Sequence, residues 1–245
     1  MSDSDIILKI SNVGVTYADK PAIENVSIEV KRGEFFGVIG VNGAGKTTLI
    51  KTILGLRDAD VGEIEIMSQK INQNSTSPHV AFLPERFEPS WFLTGLEFLK
   101  FSTGLYGVKY TDAEYKKCAE ELVLDPDALK RRVHTYSKGM RQKLGLMATI
   151  MTKAELLIFD EPMSGLDPSA RTHVKDMLIA VKNRGHTIFM NSHILADMDE
   201  ICDRVCLIHN QQARFIGEPK NLKQQTQTQN LERAFLHYIE QKSAA

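Results

Sequence analysis

The sequence predicts an α/β fold interrupted by a helical insertion, and three observations lead there. Short apolar runs of β-like composition recur along the 245 residues and alternate with helical patterns in the second half. One of them, Phe35–Ile39, runs straight into Gly40-Val41-Asn42-Gly43-Ala44-Gly45-Lys46-Thr47 and a short helix. Between about Thr94 and Met151 the strand signal stops and helical signals take over.

Taken in order, the β-like runs are Ile6–Ile10, Val26–Val30, Phe35–Ile39, Glu63–Met67 and Val80–Leu83, then Leu156–Asp160, Thr187–Asn191 and Arg204–His209. The first helix is expected over Lys46–Leu54, closed by Gly55. Inside the insertion, Thr94 with Glu97 and Thr111 with Glu114 form two capping boxes, each Thr serving the third amide while the Glu reaches back. The helix after Thr94 carries Leu96, Phe98, Leu99, Phe101 and Leu105 on a broad apolar face. Asp125-Pro126-Asp127 starts a further turn or helix. Near the end, Gln224–Gln229 reads as a polar linker or a frayed helix end, and Asn230 caps an amphipathic helix through Leu231, Ala234, Phe235, Tyr238 and Ile239.

Composition narrows the function classes. With 42% apolar and 25% charged residues the chain is ordinary for a globular protein, and it is long enough for a substantial core. A net charge of −1 gives no bulk electrostatic footprint for nucleic acid or an acidic membrane surface. No apolar run approaches the ~18 residues of a membrane span. Met1-Ser2-Asp3-Ser4-Asp5 lacks the basic-then-apolar layout of a signal peptide. The three cysteines form no CxxC pair, and Cys206 lies in a strand-like run, so they read as buried free thiols suited to a reducing compartment.

The Gly40–Thr47 segment fits G-x-x-x-x-G-K-[ST] at every fixed position and has strand–loop–helix context. Glycines there let successive N–H groups turn toward phosphate oxygens, and the helix behind adds its positive end. The candidate nucleotide contacts are Gly40, Val41, Asn42, Gly43, Ala44, Gly45, Lys46, Thr47 and Thr48. Lys46 is placed to reach the β- and γ-phosphates, and the Thr47 hydroxyl to hold Mg²⁺. A second feature follows downstream. Leu156–Phe159 is apolar and ends in Asp160 and Glu161. Buried acids are costly unless paired or bound to a cation, so Asp160 invites Mg²⁺ and Glu161 is placed to polarise an attacking water. Between the two, Tyr136-Ser137-Lys138-Gly139-Met140-Arg141-Gln142 precedes an apolar helix and offers either a second anion site or an ordinary Ser N-cap.

Taken together these motifs resemble the ATPase subunits of ATP-binding-cassette (ABC) transporters. That family's order is phosphate loop, glutamine loop, signature, Walker B strand, D-loop and switch histidine. Here it is matched by Gly40–Thr47, Leu83-Pro84-Glu85, Tyr136–Gln142, Leu156–Glu161, Ser164-Gly165-Leu166-Asp167 and Asn191-Ser192-His193. The resemblance implies a P-loop NTPase fold, with a RecA-like core sheet, an N-terminal antiparallel β subdomain and an inserted α-helical subdomain. The whole chain reads as one such domain: core at 1–87 and 152–217, helical subdomain with the signature at 88–151, and a helical tail at 218–245. It also implies ATP and Mg²⁺ as ligands and Tyr17 as the aromatic that stacks on adenine. In a head-to-tail dimer, homodimeric or with a paired cassette, each ATP would lie between one phosphate loop and the other subunit's Ser137 and Gly139, with Asp167 crossing the interface. His193 would bond the γ-phosphate and orient the water at Glu161. An integral membrane transporter subunit, and a place at the cytoplasmic face of the membrane, are implied as well.

Two departures refine the resemblance. The signature is Tyr-Ser-Lys-Gly-Met rather than Leu-Ser-Gly-Gly-Gln; Ser137 and Gly139 are kept, and Lys138 adds a cation. Glu85 stands where the family usually has Gln, and it is expected to remain a metal and water contact. Both variants are similar to exporters whose membrane subunits are separate six-helix proteins. After Glu85, Phe87-Glu88-Pro89-Ser90-Trp91-Phe92-Leu93 is either core packing under the insertion or the rim of a groove for a membrane partner's helix. The rival to a transporter subunit is a soluble switch ATPase acting on nucleic acid, ribosomes or a protein assembly.

Overall fold

The computed structural model describes residues 5–73 and 77–243, with side chains through 240. Met1–Ser4, which hold most of the acidic N-terminal stretch, lie outside the described residues. The chain divides into two compact units, one made of Met1–Ser77 and Phe189–Ala245, the other of Pro78–Ile188.

The first unit opens with a long hairpin, β1 (Ile6–Tyr17) and β2 (Lys20–Lys31). Ala18 and Asp19 join them with φ of 43° and 68°, the left-handed pair that a two-residue turn needs to follow the strands' twist. Both strands run well beyond the apolar runs that betray them in the sequence. In β2 the buried Ile23, Val26, Ile28 and Val30 are separated by exposed polar residues, and β1 carries several register shifts that break the alternation. With β4 (Val61–Ile66) and β5 (Gln69–Lys70) the hairpin forms an antiparallel sheet of order β2-β1-β4-β5.

A second group of strands in this unit holds β3 (Phe35–Gly40), buried throughout. It pairs in parallel with β9 (Arg204–His209), which turns through Asn210 and Gln211 into the antiparallel β10 (Gln212–Gly217). The Asp203 carboxylate accepts from the Phe35 amide at 2.8 Å and so fixes the entry to β3. Phe36 stacks on Phe189 of β8 (Thr187–Asn191) at 5.8 Å. The helices here are α1 (Lys46–Ile53), α6 (Leu195–Ile201), α7 (Pro219–Gln225) and α8 (Leu231–Ser243). Leu54 caps α1 and Gly55 follows with φ 66°, one residue earlier than the sequence suggests. The polar stretch 224–229 contains the end of α7 and a buried Thr226 whose hydroxyl donates to Leu222 O. Asn230 caps α8 by accepting from the Arg233 amide, and Leu231, Ala234 and Phe235 are buried.

The second unit holds the parallel pair β6 (Val80–Leu83) and β7 (Leu156–Asp160) with α2 (Gly95–Leu105), α3 (Asp112–Glu121), α4 (Lys138–Ile150) and α5 (Pro168–Asn183). Both capping boxes are present, and Asp125 opens a 3-10 turn over Pro126–Lys130. The broad apolar face expected of α2 is narrower than its sequence. Gly95, Leu99 and Thr103 are its buried positions, while Phe101 and Leu105 are 60% and 71% exposed. Thr103 belongs to the buried stripe because its hydroxyl is satisfied locally, donating to Leu99 O and meeting the buried Tyr115 hydroxyl at 2.6 Å.

Candidate active site

In the first unit the phosphate loop is shaped by close backbone packing. Gly40 ends β3 against β9, where a Cβ would stand 2.5 Å from the Ile208 carbonyl oxygen. Gly45 caps α1 with φ 104°; a Cβ there would collide with the Ala22 carbonyl oxygen and the Ile23 side chain. Only glycine combines that φ with that approach. Lys46 is buried, and its ammonium donates to Gly40 O at 2.8 Å and Val41 O at 3.1 Å. The side chain is therefore folded back over the loop it serves, with its charge at the loop's centre. Val41, Asn42, Gly43 and Thr47 are exposed, Gly45 and Thr48 half-buried, and Ala44 is buried beneath them. Tyr17, at the end of β1, is 45% exposed. His193 is exposed just beyond β8, after the buried Asn191 and Ser192. The Ser192 hydroxyl accepts from the Ile194 amide at 3.1 Å and holds that turn.

In the second unit, Asp160 and Glu161 are buried at the end of β7, at 4% and 9% exposure. Glu161 adopts φ 52°, uncommon for a residue with a side chain and a mark of a backbone held by its surroundings. Its carbonyl accepts from the Ser164 amide at 3.1 Å. Gln142 of α4 is buried and donates to Pro162 O at 2.9 Å, pinning the turn that follows the acidic pair. The sequence offers Gln142 only as the end of the signature stretch, because its partner lies twenty residues away.

Ser137 caps α4, accepting from the Met140 amide at 3.2 Å, and remains exposed. Gly139 lies near Leu166, and Lys138 occupies the space a side chain on Gly165 would need, so the signature and the 164–167 loop adjoin. Asp167 caps α5, with Pro168 at the first helical position. The Ala170 amide, donating at 3.0 Å, holds the Asp167 carboxyl below the usual carboxylate range. Glu85 is exposed and, with Trp91, Phe92, Lys138 and Gln142, lines a cavity of about 730 Å³. Trp91 is 68% exposed and Phe92 55%, edge to face at 5.9 Å. The segment is divided between the two readings: Phe87 packs edge to face on Phe98 at 5.6 Å and Pro89 is buried, whereas Trp91 and Phe92 are open.

A divalent metal is part of the expectation for such a site. Thr47 Oγ1 in the first unit, and the Asp160 and Glu85 carboxylates in the second, are each hard oxygen donors of the kind Mg²⁺ prefers. The three cysteines supply no competing soft site: burial pushes the Cys118 and Cys206 thiols up to about 12, and Cys202 sits against Met198.

Comparison with known proteins decides the family. The ABC transporter family profile matches residues 23–164, from β2 through the acidic pair to Ser164. The chain belongs to the ABC transporter family. The cassette is 35% identical to the fluoroquinolones export ATP-binding protein of Mycobacterium tuberculosis over 84% of this chain and 68% of that one. It is 32% identical to the linearmycin resistance ATP-binding protein of Bacillus subtilis over 88% and 70%. An uncharacterized ABC transporter ATP-binding protein of Synechocystis is 37% identical over 82% of this chain, which spans 58% of that longer relative. Among solved structures, the ATP-binding subunit of an ABC transporter superposes with a TM-score of 0.84 at 28% identity, covering 95% of this chain and 99% of that one. The cassette thus has the P-loop NTPase fold that its phosphate loop suggests. Among the described residues, none of its helices is long and apolar enough to cross a membrane.

Proposed function

We propose that this chain is the ATP-hydrolysing subunit of a membrane exporter. It would work as a head-to-tail dimer whose closure on ATP moves an integral membrane partner at the cytoplasmic face. The observation that carries the reading is the phosphate loop: a glycine held at φ 104° and a buried lysine folded onto the loop's own carbonyls. That arrangement is an anion cradle, a glycine-shaped backbone around a lysine ammonium. Lys46 would bind β- and γ-phosphate oxygens. Thr47, Asp160 and Glu85 would hold Mg²⁺. When bound, Mg²⁺ neutralises phosphate charge as the terminal group departs.

Glu161 would accept a proton from the water that attacks the γ-phosphorus, and His193 would orient that water against the γ-phosphate. Catalysis is then positioning and charge neutralisation rather than covalent chemistry. Ser137 and Gly139 would contact the γ-phosphate held by the other subunit, with Asp167 crossing between the two. The names of the two export and resistance relatives support the exporter reading. The exposed Trp91–Phe92 pair beside the Glu85 cavity supports a groove for a helix of the membrane partner.

The test is a pull-down of the Glu161→Gln protein with ATP from detergent-solubilised membranes. Recovery of a polytopic membrane protein is expected. Recovery of ribosomes or a soluble complex, with no membrane protein, would replace the exporter by a switch ATPase.

A further inference from the structure

We infer that Arg57 is a positioning residue for the nucleobase: its guanidinium backs the Tyr17 ring and fixes the face on which a purine stacks. The inference rests on the proposed role of Tyr17 and adds the device that makes this ring a platform. Tyr17 is the last residue of β1, at a hairpin tip, with nearly half its surface open. A tyrosine so placed rotates freely among staggered positions unless something holds it. The holding group comes from forty residues further along the chain. The Arg57 guanidinium carbon lies 5.8 Å from the Tyr17 ring centroid, within cation–π range.

Arg57 is itself fixed. Its Nη2 donates to Asp60 Oδ1 at 2.7 Å and leans on Thr16 O at 3.4 Å. The other Asp60 oxygen accepts from the Thr16 amide at 2.7 Å, and the Asp60 amide donates to Gly14 O at 2.9 Å. One carboxylate thereby ties the guanidinium to the strand residue immediately before Tyr17. An ordinary surface pair of Arg57 with Asp60 would leave the arginine mobile; here the three bonds to the β1 backbone, two through Asp60 and one from Arg57 itself, restrict that freedom. A planar guanidinium held this way stacks where an ammonium does not.

The platform is at the right distance from the phosphates. Across the hairpin Tyr17 pairs with Lys20 and Val15 with Ile23. Ala22 and Ile23 are the residues that crowd Gly45 of the phosphate loop. Two or three residues of strand, roughly 7–10 Å, therefore separate the ring from the loop, a span comparable to that from a purine to the phosphates of its nucleotide. With Arg57 on one face, the other face is left for the base, and the selectivity is for a purine nucleotide over its bare phosphates.

The experiment is calorimetric binding of MgATP and of magnesium tripolyphosphate to the purified full chain and its variants. Arg57→Met is expected to raise the ATP Kd about three- to tenfold while leaving tripolyphosphate unchanged, which also serves as the folding control. Arg57→Lys should recover part of the loss by keeping the charge, and Asp60→Asn should move in the same direction as Arg57→Met. If Arg57→Met shifts both ligands by the same factor, or neither, the inference is overturned. Tyr17→Ala separates it from the reading beneath. A selective ATP loss in Tyr17→Ala but not in Arg57→Met removes Arg57 alone; no selective loss in Tyr17→Ala removes both.

Discussion

Replacing Gly45 by alanine tests whether the phosphate loop is as rigidly specified as its geometry indicates. The added methyl group has two costs. At φ 104° a side chain is strained by about 1–3 kcal/mol. The methyl also meets the Ala22 carbonyl and, at 2.5 Å, the Ile23 methyl group. One of these is backbone in the β1–β2 hairpin and cannot rotate away, so overpacking adds about 1–3 kcal/mol. The total of about 2–6 kcal/mol must appear somewhere. If the loop relaxes, the N–H groups lose their aim and ATP affinity falls by at least ~30-fold, since 1.4 kcal/mol is a factor of ten. If the loop keeps its shape, the strain lowers the unfolding temperature by at least ~4 °C. Calorimetric ATP binding and thermal unfolding of the Gly45→Ala protein measure both channels. A variant with wild-type affinity and wild-type melting temperature would refute the claim that Gly45 is held where only glycine fits.

Three further outcomes follow from the same structure. Glu161→Gln should bind ATP normally and lose at least ~100-fold in turnover, the usual contribution of a general base; near-normal steady-state hydrolysis would exclude that role. Trp91→Ala removes a side chain that is 68% exposed, so basal ATP hydrolysis of the isolated chain should stay unchanged while transport by the membrane complex is lost; unchanged transport would sink the groove assignment. Tyr136→Phe deletes a buried hydroxyl that donates to Ala128 O at 2.7 Å; that carbonyl keeps the Arg131 amide at 2.8 Å, so the loss is one bond of about 1 kcal/mol. Its melting temperature should fall by about 2–4 °C with ATP affinity unaffected, and coupled losses of stability and affinity would show that the bond also shapes the signature.

Much of the site was legible because its signals are short-range. Ser137, Asp167 and Asn230 cap the helices that follow them, and each cap is a contact between residues three apart. The same holds for the two capping boxes, whereas the phosphate-loop glycines are legible as a motif although the close approaches that demand them come from Ile208 and from Ala22 and Ile23, far along the chain. Exposure was less legible. Phe101 and Leu105 continue an apolar pattern on α2, yet the buried stripe runs through Thr103, because a threonine hydroxyl can bond its own helix and a tyrosine from α3. Strand ends were also missed. The outer parts of β1 and β2 and the whole of β10 mix apolar with polar residues and turn formers, and β10 is only half-buried, so no apolar run marks them; they form because a neighbouring strand supplies hydrogen bonds.

By itself, then, the sequence determined the phosphate loop, the acidic pair after β7, the helix starts and the family. Helix capping there depends on residues adjacent in the chain, and the loop and acidic pair are recognised from contiguous residues. Only the tertiary structure decided that Lys46 lies over its own loop, that Gln142 pins the turn after Glu161, that Glu161 takes a left-handed backbone, and that Arg57 stands behind Tyr17. The Gln142 and Arg57 contacts join groups 20 and 40 residues apart; Lys46 reaches only five and six residues back, but which way its long side chain folds is set by the shape of the loop; and the Glu161 backbone is imposed by packing on a residue that would not choose it alone.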